Sequence, residues 1–176
     1  MITLKTRRLL LAPWREEDAE ALYALASDPE IGPMCGWEPH GSVEESREVI
    51  RDVFSAPEVC AILSRESGAL LGAVGLQPSS EIFPELSATE QREMGYWLGR
   101  PYWGHGVMTE AATELLRFGF EMLGLEAVWC SHYDWNSRSR RVTKETTNVI
   151  GMTNKTVFYA LKKEELLTFS GEKEFA

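Results

Sequence analysis

Cysteine is scarce and unpatterned: Cys35, Cys60 and Cys130 are an odd number with no CxxC spacing, which argues against a disulfide framework or a thiolate zinc site. Their apolar neighbours, such as Val59, Leu63 and Val128, read as those of reduced core thiols. Histidine is equally rare. His40, His105 and His132 stand far apart with no HxxxH spacing, so no metal is expected. No apolar run reaches the roughly 18 residues that a membrane-spanning helix needs. Lys5, Arg7 and Arg8 interrupt the first stretch, which therefore lacks a signal-peptide pattern. A cytoplasmic protein with no membrane partner is expected. Basic residues are outnumbered, 18 Lys and Arg against 27 Asp and Glu, for a net charge of −9. That field disfavours nucleic-acid phosphates and suits a cationic partner.

The length of 176 residues, with 44% hydrophobic and 10% aromatic, fits a single domain over residues 1–176 that buries its own core. Ile2, Leu4, Leu9 and Leu11 suggest one opening strand, and Ala19, Leu22, Tyr23 and Ala26 recur at helical spacing until Asp28 and Pro29. Ser42 with Glu45 has the form of a capping box ahead of a helix whose stripe is Val49, Ile50, Val53 and Phe54. Residues 59–64 and 69–76 read as a hairpin buried on both faces, turning at Glu66, Ser67 and Gly68. Residues 77–91 read as a long acidic surface loop carrying Glu81, Glu85 and Glu90. A strand over 94–98, a helix over 107–123, a strand over 127–133, a short helix from Asn136 to about Glu145 and a strand over 156–161 follow. The helix from Val107 would bury Ala112, Leu115, Leu116, Gly119 and Phe120. The fold class is α/β or α+β, a sheet with helices on its faces.

The chemistry concentrates between the 94–98 strand and the Val107 helix. Gly104 and Gly106 let the backbone approach a ligand, and the first amides of the helix, reinforced by its dipole, form an anion site suited to phosphate. The same turn taken alone also fits a plain tight connection. A third glycine with a downstream acid, or Gly-Lys-Ser/Thr, would be needed for a dinucleotide fold or a P-loop, and neither is present. Glu93, just before the strand, is the first carboxylate candidate for a general base, with Glu90 and Glu85 behind it.

Gly95-Tyr96-Trp97-Leu98 followed by Tyr102-Trp103-Gly104-His105-Gly106-Val107-Met108-Thr109-Glu110-Ala111 resembles the acetyl-CoA-binding motif of the GNAT N-acetyltransferase superfamily. Residues 6–14 and Asn136-x-x-Ser139-x-Arg141 are similar to the ribosomal-protein N-terminal acetyltransferase type within it. The resemblance spans nearly the whole chain. It implies a mixed, mostly antiparallel twisted sheet with splayed central strands, flanked by about four helices. It also implies acetyl-CoA as co-substrate with no metal. The amides of His105, Gly106, Val107 and Met108 would hold the pyrophosphate, with Trp103 and Gly104 framing the turn and Thr109 beside them. Trp97 and Leu98 would line the pantetheine arm, and Asn136 would hydrogen-bond it. Arg141, with Arg138 and Arg140, would reach the phosphates. Ser139 would protonate the departing thiolate, because Val142 stands where many relatives carry tyrosine.

Tyr23, Trp37 and His40 would border the acceptor groove, whereas His132 reads as a satisfied core histidine. The implied function is direct attack on the thioester, in a ternary complex, by a small-molecule amine or a protein N-terminus; a homodimer is compatible with it. Three departures matter: Trp103, Met108, and the run from Lys144 to Val149 in place of the usual Glu-Lys-Leu-Gly-Phe. The last keeps open a non-catalytic acyl-CoA-binding or regulatory module, and a nucleotide-binding or scaffolding domain stands third.

Overall fold

A computed structural model of the chain describes residues 2–78, 82–83, 85–87, 89–153 and 156–165. Glu81 of the acidic loop lies outside them. Two compact units are formed, residues 1–77 with 95–115, and residues 78–94 with 116–176.

The first unit starts with β1 (Leu4–Lys5) and β2 (Leu9–Pro13), where one strand was expected. Thr6 reverses the chain between them: its amide donates to the Leu9 carbonyl at 3.0 Å and its hydroxyl accepts from the Leu9 amide at 2.9 Å. Leu4 therefore pairs with Leu11. The helices are α1 (Ala19–Ala26), the unanticipated α2 (Gly32–Cys35) and α3 (Val43–Asp52). Ser42 Oγ caps α3 by accepting from the Glu45 amide at 3.0 Å, but the Glu45 carboxylate reaches back to the Gly41 amide, one residue beyond the expected partner. Val53 is 52% exposed and leaves the predicted stripe, while Phe54 stacks on Trp14 at 4.8 Å.

β3 (Val59–Ser64) and β4 (Leu70–Pro78) form the expected hairpin, buried on both faces over most of its length. Antiparallel pairing runs from β2 to β3, with Leu11 against Ile62, and from β3 to β4, with Cys60 against Val74. Trp14, Leu22, Ile31, Ile50, Ala73 and Trp97 belong to one core cluster. This unit also takes the C-terminal half of β5 (Gln91–Leu98) and the start of α4 (Val107–Glu121). A Cβ added to Gly72 would lie 2.2 Å from the Trp97 carbonyl oxygen and 2.8 Å from Leu98 Cα. Both obstacles are backbone, so Gly72→Ala should cost about 1–3 kcal/mol and lower the melting temperature by several degrees in a calorimetric scan.

In the second unit β5 begins three residues earlier than expected, which places Glu93 inside the strand. Gln91 is buried there with its side-chain amide donating to the Phe83 and Leu86 carbonyls at 2.8 and 3.0 Å, which ties the loop to the strand start. Gln91, Arg92 and Glu93 pair in parallel with Ala127, Val128 and Trp129 of β6 (Ala127–Tyr133). Next come α5 (Ser137–Thr146), β7 (Asn148–Thr153) and β8 (Thr156–Lys162), β8 lying antiparallel to both β6 and β7.

β7 lies where no element was expected between α5 and the last strand. The threonines there, poor helix formers by propensity, are accommodated by back-bonding: Thr143 Oγ1 donates to the Ser139 carbonyl, Thr146 to Val142 and Thr147 to Thr143, at 3.2, 2.9 and 2.8 Å. The sheet order is β1-β2-β3-β4-β5-β6-β8-β7, a mixed and mostly antiparallel sheet of eight strands. No helix among the described residues is long and apolar enough to cross a membrane.

Candidate functional site

β5 ends where the Gly99 amide donates to the Leu71 carbonyl at 2.8 Å. Residues Arg100–Tyr102 then make one 3₁₀ turn, and the Trp103 ring folds back so that Nε1 donates to the Leu98 carbonyl at 2.8 Å. Gly104 and Gly106 have φ of +79° and +68°, the left-handed region that glycine alone enters without strain. The helical ladder opens with the Glu110 amide donating to the Gly106 carbonyl at 3.1 Å, so the amides of His105, Gly106, Val107 and Met108 precede it. The side chains of Val107 and Met108 are buried, so what these two residues can present to a ligand is backbone. Thr109 is half-buried in the same first turn.

The turn is held by the N-terminal hairpin. The Glu110 carboxylate accepts from Thr6 Oγ1 at 2.5 Å, from the Arg8 amide at 2.9 Å and from Arg8 Nε at 2.6 Å. Arg8 Nη1 also donates to the His105 carbonyl at 3.0 Å. Burial alone would raise the Glu110 pKa, but the Thr6 and Arg8 hydrogen bonds and the Arg8 charge outweigh it and hold the carboxyl below its ordinary value. Its contribution to stability is therefore complete above the unfolded-chain carboxylate range and lost as pH falls through the lower folded value. Glu110→Gln should cost about 1 kcal/mol at pH 7, allowing for solvent screening, and this deficit against wild type should shrink on acid titration followed by thermal melts.

Trp97 and Leu98 are buried at the strand end. Trp97 meets Trp37 edge to face at 6.0 Å, and Trp37 lies 5.3 Å from the His40 ring. His40 is buried with Nδ1 2.8 Å from Ser46 Oγ; burial lowers its pKa, with Glu45 opposing. Two of the three residues expected at the acceptor groove thus join the end of β5 in one aromatic cluster. Tyr23 sits half-buried on α1, outside the ring contacts described. Arg100 pairs with Asp28 and Glu30 at 2.8 and 2.9 Å, tying the turn to the segment after α1.

In the second unit Asn136 is buried and its Oδ1 accepts from the Ser139 amide at 3.1 Å, capping α5. Ser139 is half-buried in the first turn, while Arg138, Arg140 and Arg141 are exposed. Glu93 is half-buried. Burial pushes the Cys130 thiol up to about 12, with Thr147 opposing the shift and the Glu93 charge adding to it. Cys60 is likewise buried and pushed up to about 12, but Cys35 is exposed on α2, contrary to its reading as a core thiol. Glu90 is engaged by the Ser87 hydroxyl and amide, which lower its pKa, and Glu85 pairs with Lys162 at 3.9 Å.

His132 corrects the expectation of a fully satisfied core histidine. It is buried and stacked on Tyr159 at 5.2 Å, with Nδ1 2.6 Å from the Tyr133 carbonyl, so Nδ1 carries the proton. Among the described residues its Nε2 has no hydrogen-bond partner. Nothing in the sequence signals this, because it depends on the direction in which the ring points. Among the described residues no group of three or more His, Cys, Asp or Glu could hold a metal.

Residues 8–146 match the family model described as an acetyltransferase (GNAT) domain. A Bacillus licheniformis protein named uncharacterized N-acetyltransferase p20 is 28% identical over 172 residues, covering 95% of this chain and 86% of its own. An Aspergillus fumigatus protein named FsC-acetyl coenzyme A-N(2)-transacetylase is 28% identical over 184 residues, 94% of this chain and 78% of its own. The crystal structure of a GNAT-family acetyltransferase from Bacillus anthracis superposes with a TM-score of 0.82 over 93% of this chain and 100% of its own, at 19% identity, a likeness of fold.

Proposed function

The chain belongs to the GNAT acetyltransferase family, and from that premise we propose that it moves the acetyl group of acetyl-CoA onto a primary amine, of a small molecule or a protein N-terminus. The observation that carries this is the turn from Trp103 to Met108: two left-handed glycines and a run of helix-start amides, with the Val107 and Met108 side chains packed away. Such a turn fits a pyrophosphate. Asn136 and Arg141 are assigned to the pantetheine arm and the phosphates.

In the ternary complex the neutral amine attacks the thioester carbon, a strand amide of β5 stabilises the developing oxyanion, and the carbon–sulfur bond then breaks. Glu93 takes the ammonium proton and Ser139 supplies one to the departing thiolate. Trp37 and His40 border the acceptor, with Tyr23 further out on α1. Support for turnover, over binding alone, comes from residues 144–153, where α5 closes and β7 pairs despite the departure from family sequence. The reading is of a cytoplasmic enzyme, a compartment in which exposed Cys35 stays reduced.

Calorimetric titration with acetyl-CoA, with ATP and NADH as controls, followed by a mass-spectrometric screen of amines and peptide N-termini, tests this. Selective micromolar binding and an acetylated product are expected. Binding with no product from any acceptor class would favour the non-catalytic module, and no binding would overturn the reading.

A further inference from the structure

His40 and His132 are both buried, but their rings are engaged differently. His132 has its Nε2 atom sealed away without a partner among the described residues. His40 has one nitrogen held and the other open. Its Nδ1 lies 2.8 Å from Oγ of Ser46, which is wholly buried on α3. The single Ser46 hydroxyl proton is donated to the Ser42 carbonyl at 3.2 Å, so toward His40 that oxygen accepts and Nδ1 carries the ring proton. Nε2 then holds the lone pair. It has no hydrogen-bond partner among the described residues, yet it is not sealed as His132 Nε2 is.

The surroundings fix this ring from several sides. The His40 amide donates to the Ala26 carbonyl of α1 at 3.1 Å, and the Trp37 ring lies 5.3 Å from the imidazole. Trp37 meets Trp97 at 6.0 Å, so a row of rings leads from His40 to the end of β5, all within the first unit. Burial lowers the His40 pKa and the Glu45 charge, on α3, opposes this, so the ring is neutral at pH 7 and free to accept a proton. An imidazole oriented through one nitrogen by a buried group, with the other nitrogen open, has the form of a general base.

A primary ammonium gives up two protons on its way to an amide, and only the first is assigned above, to Glu93. Attack of the neutral amine forms the carbon–nitrogen bond, sends the carbonyl electron pair to oxygen and leaves a positive nitrogen that bears two protons. We propose that His40 Nε2 takes one of these two. The nitrogen, now neutral, becomes a poorer leaving group than the thiolate, so the carbon–sulfur bond breaks as the carbonyl re-forms. The inference rests on the proposed acetyl transfer at the end of β5. Ser139 protonates the sulfur. Glu93 and His40 then return two protons to water and Ser139 regains one, so one proton is released for each acetyl group moved. Ser46 is a positioning residue, holding the ring with Nε2 toward the acceptor.

Steady-state kinetics with acetyl-CoA and an amine shown by mass spectrometry to be acetylated test this on wild type, His40→Asn, His40→Gln and Ser46→Ala. Thermal melts identify any variant that has lost its fold. Asparagine places an amide N–H where Nδ1 donates to Ser46, and neither amide is basic. The wild-type kcat should fall on the acid side, with a midpoint below the ordinary histidine value of 6.5. A folded His40→Asn or His40→Gln should lose about a hundredfold in kcat, keep the KM for acetyl-CoA within about threefold, and lose that acid limb. Ser46→Ala should keep the limb and lose about tenfold in kcat. A wild-type profile without the limb would overturn the role of His40 whatever the variants do. So would a folded His40 variant with wild-type kcat, or one that loses rate and keeps the limb; acetyl transfer would still stand. Wild type that acetylates no amine would overturn both.

Discussion

Gly106→Val is expected to weaken acetyl-CoA binding by about a hundredfold or more in calorimetry. Space is not the obstacle, since a Cβ at Gly106 would meet nothing closer than Arg8 Nη2 at 3.7 Å. The backbone is. A β-branched residue held at φ +68° carries about 1–3 kcal/mol of strain, and relief of that strain must rotate the Gly106 and Val107 peptides. Those peptides carry two of the amides proposed for the pyrophosphate, so the strain falls on the ligand site and not on the core. Gly106→Ala should fall between wild type and valine. Wild-type affinity in the valine variant, with the fold intact, would show that the turn only connects strand to helix.

Ser139→Ala should lower kcat by about a hundredfold while leaving the KM for acetyl-CoA within about threefold. The cap on α5 is made by the Ser139 amide donating to Asn136 Oδ1, a bond that alanine keeps. A large fall in kcat with an unchanged melting temperature therefore reports on the hydroxyl as proton donor. Asn136→Ala gives the contrast, since it removes the cap and should cost about 1 kcal/mol of stability. If Ser139→Ala turns over at the wild-type rate, water or another group protonates the thiolate.

Continuous apolar runs made β3 and β6 readable to the residue, because a strand buried on both faces needs no partner to explain its composition. The glycine turn was readable as well, since its chemistry is local. Three kinds of feature were not. α2 is a four-residue helix containing Pro33 and ended by Gly36 at φ +84°, too short for periodicity to register. β7 lies at the sheet edge and exposes Val149, Ile150 and Met152, so it lacks the inward and outward alternation that identifies a strand. Glu93 was placed ahead of its strand because β5 is extended by the pairing of Gln91, Arg92 and Glu93 with the distant Ala127, Val128 and Trp129, a ladder that three polar or charged residues do not announce. Within the site, the partnership of Arg8 with Glu110 spans 102 positions, and the lack of a partner for His132 Nε2 among the described residues depends on ring orientation. Such long-range geometry has no signature in a single sequence.

The clamp of Thr6 and Arg8 on Glu110 also sets an order of events during synthesis. Residues emerge from a ribosome at about 5–20 per second, so the N-terminal hairpin exists for several seconds before its partner carboxylate does. The β2–β3–β4 ladder can zip in that interval from neighbouring contacts. The ligand-ready form of the glycine turn must wait until the nascent chain has passed Glu110 and the loop between them has closed. If the turn binds as proposed, competence to bind arises late, once Glu110 has emerged and been clamped.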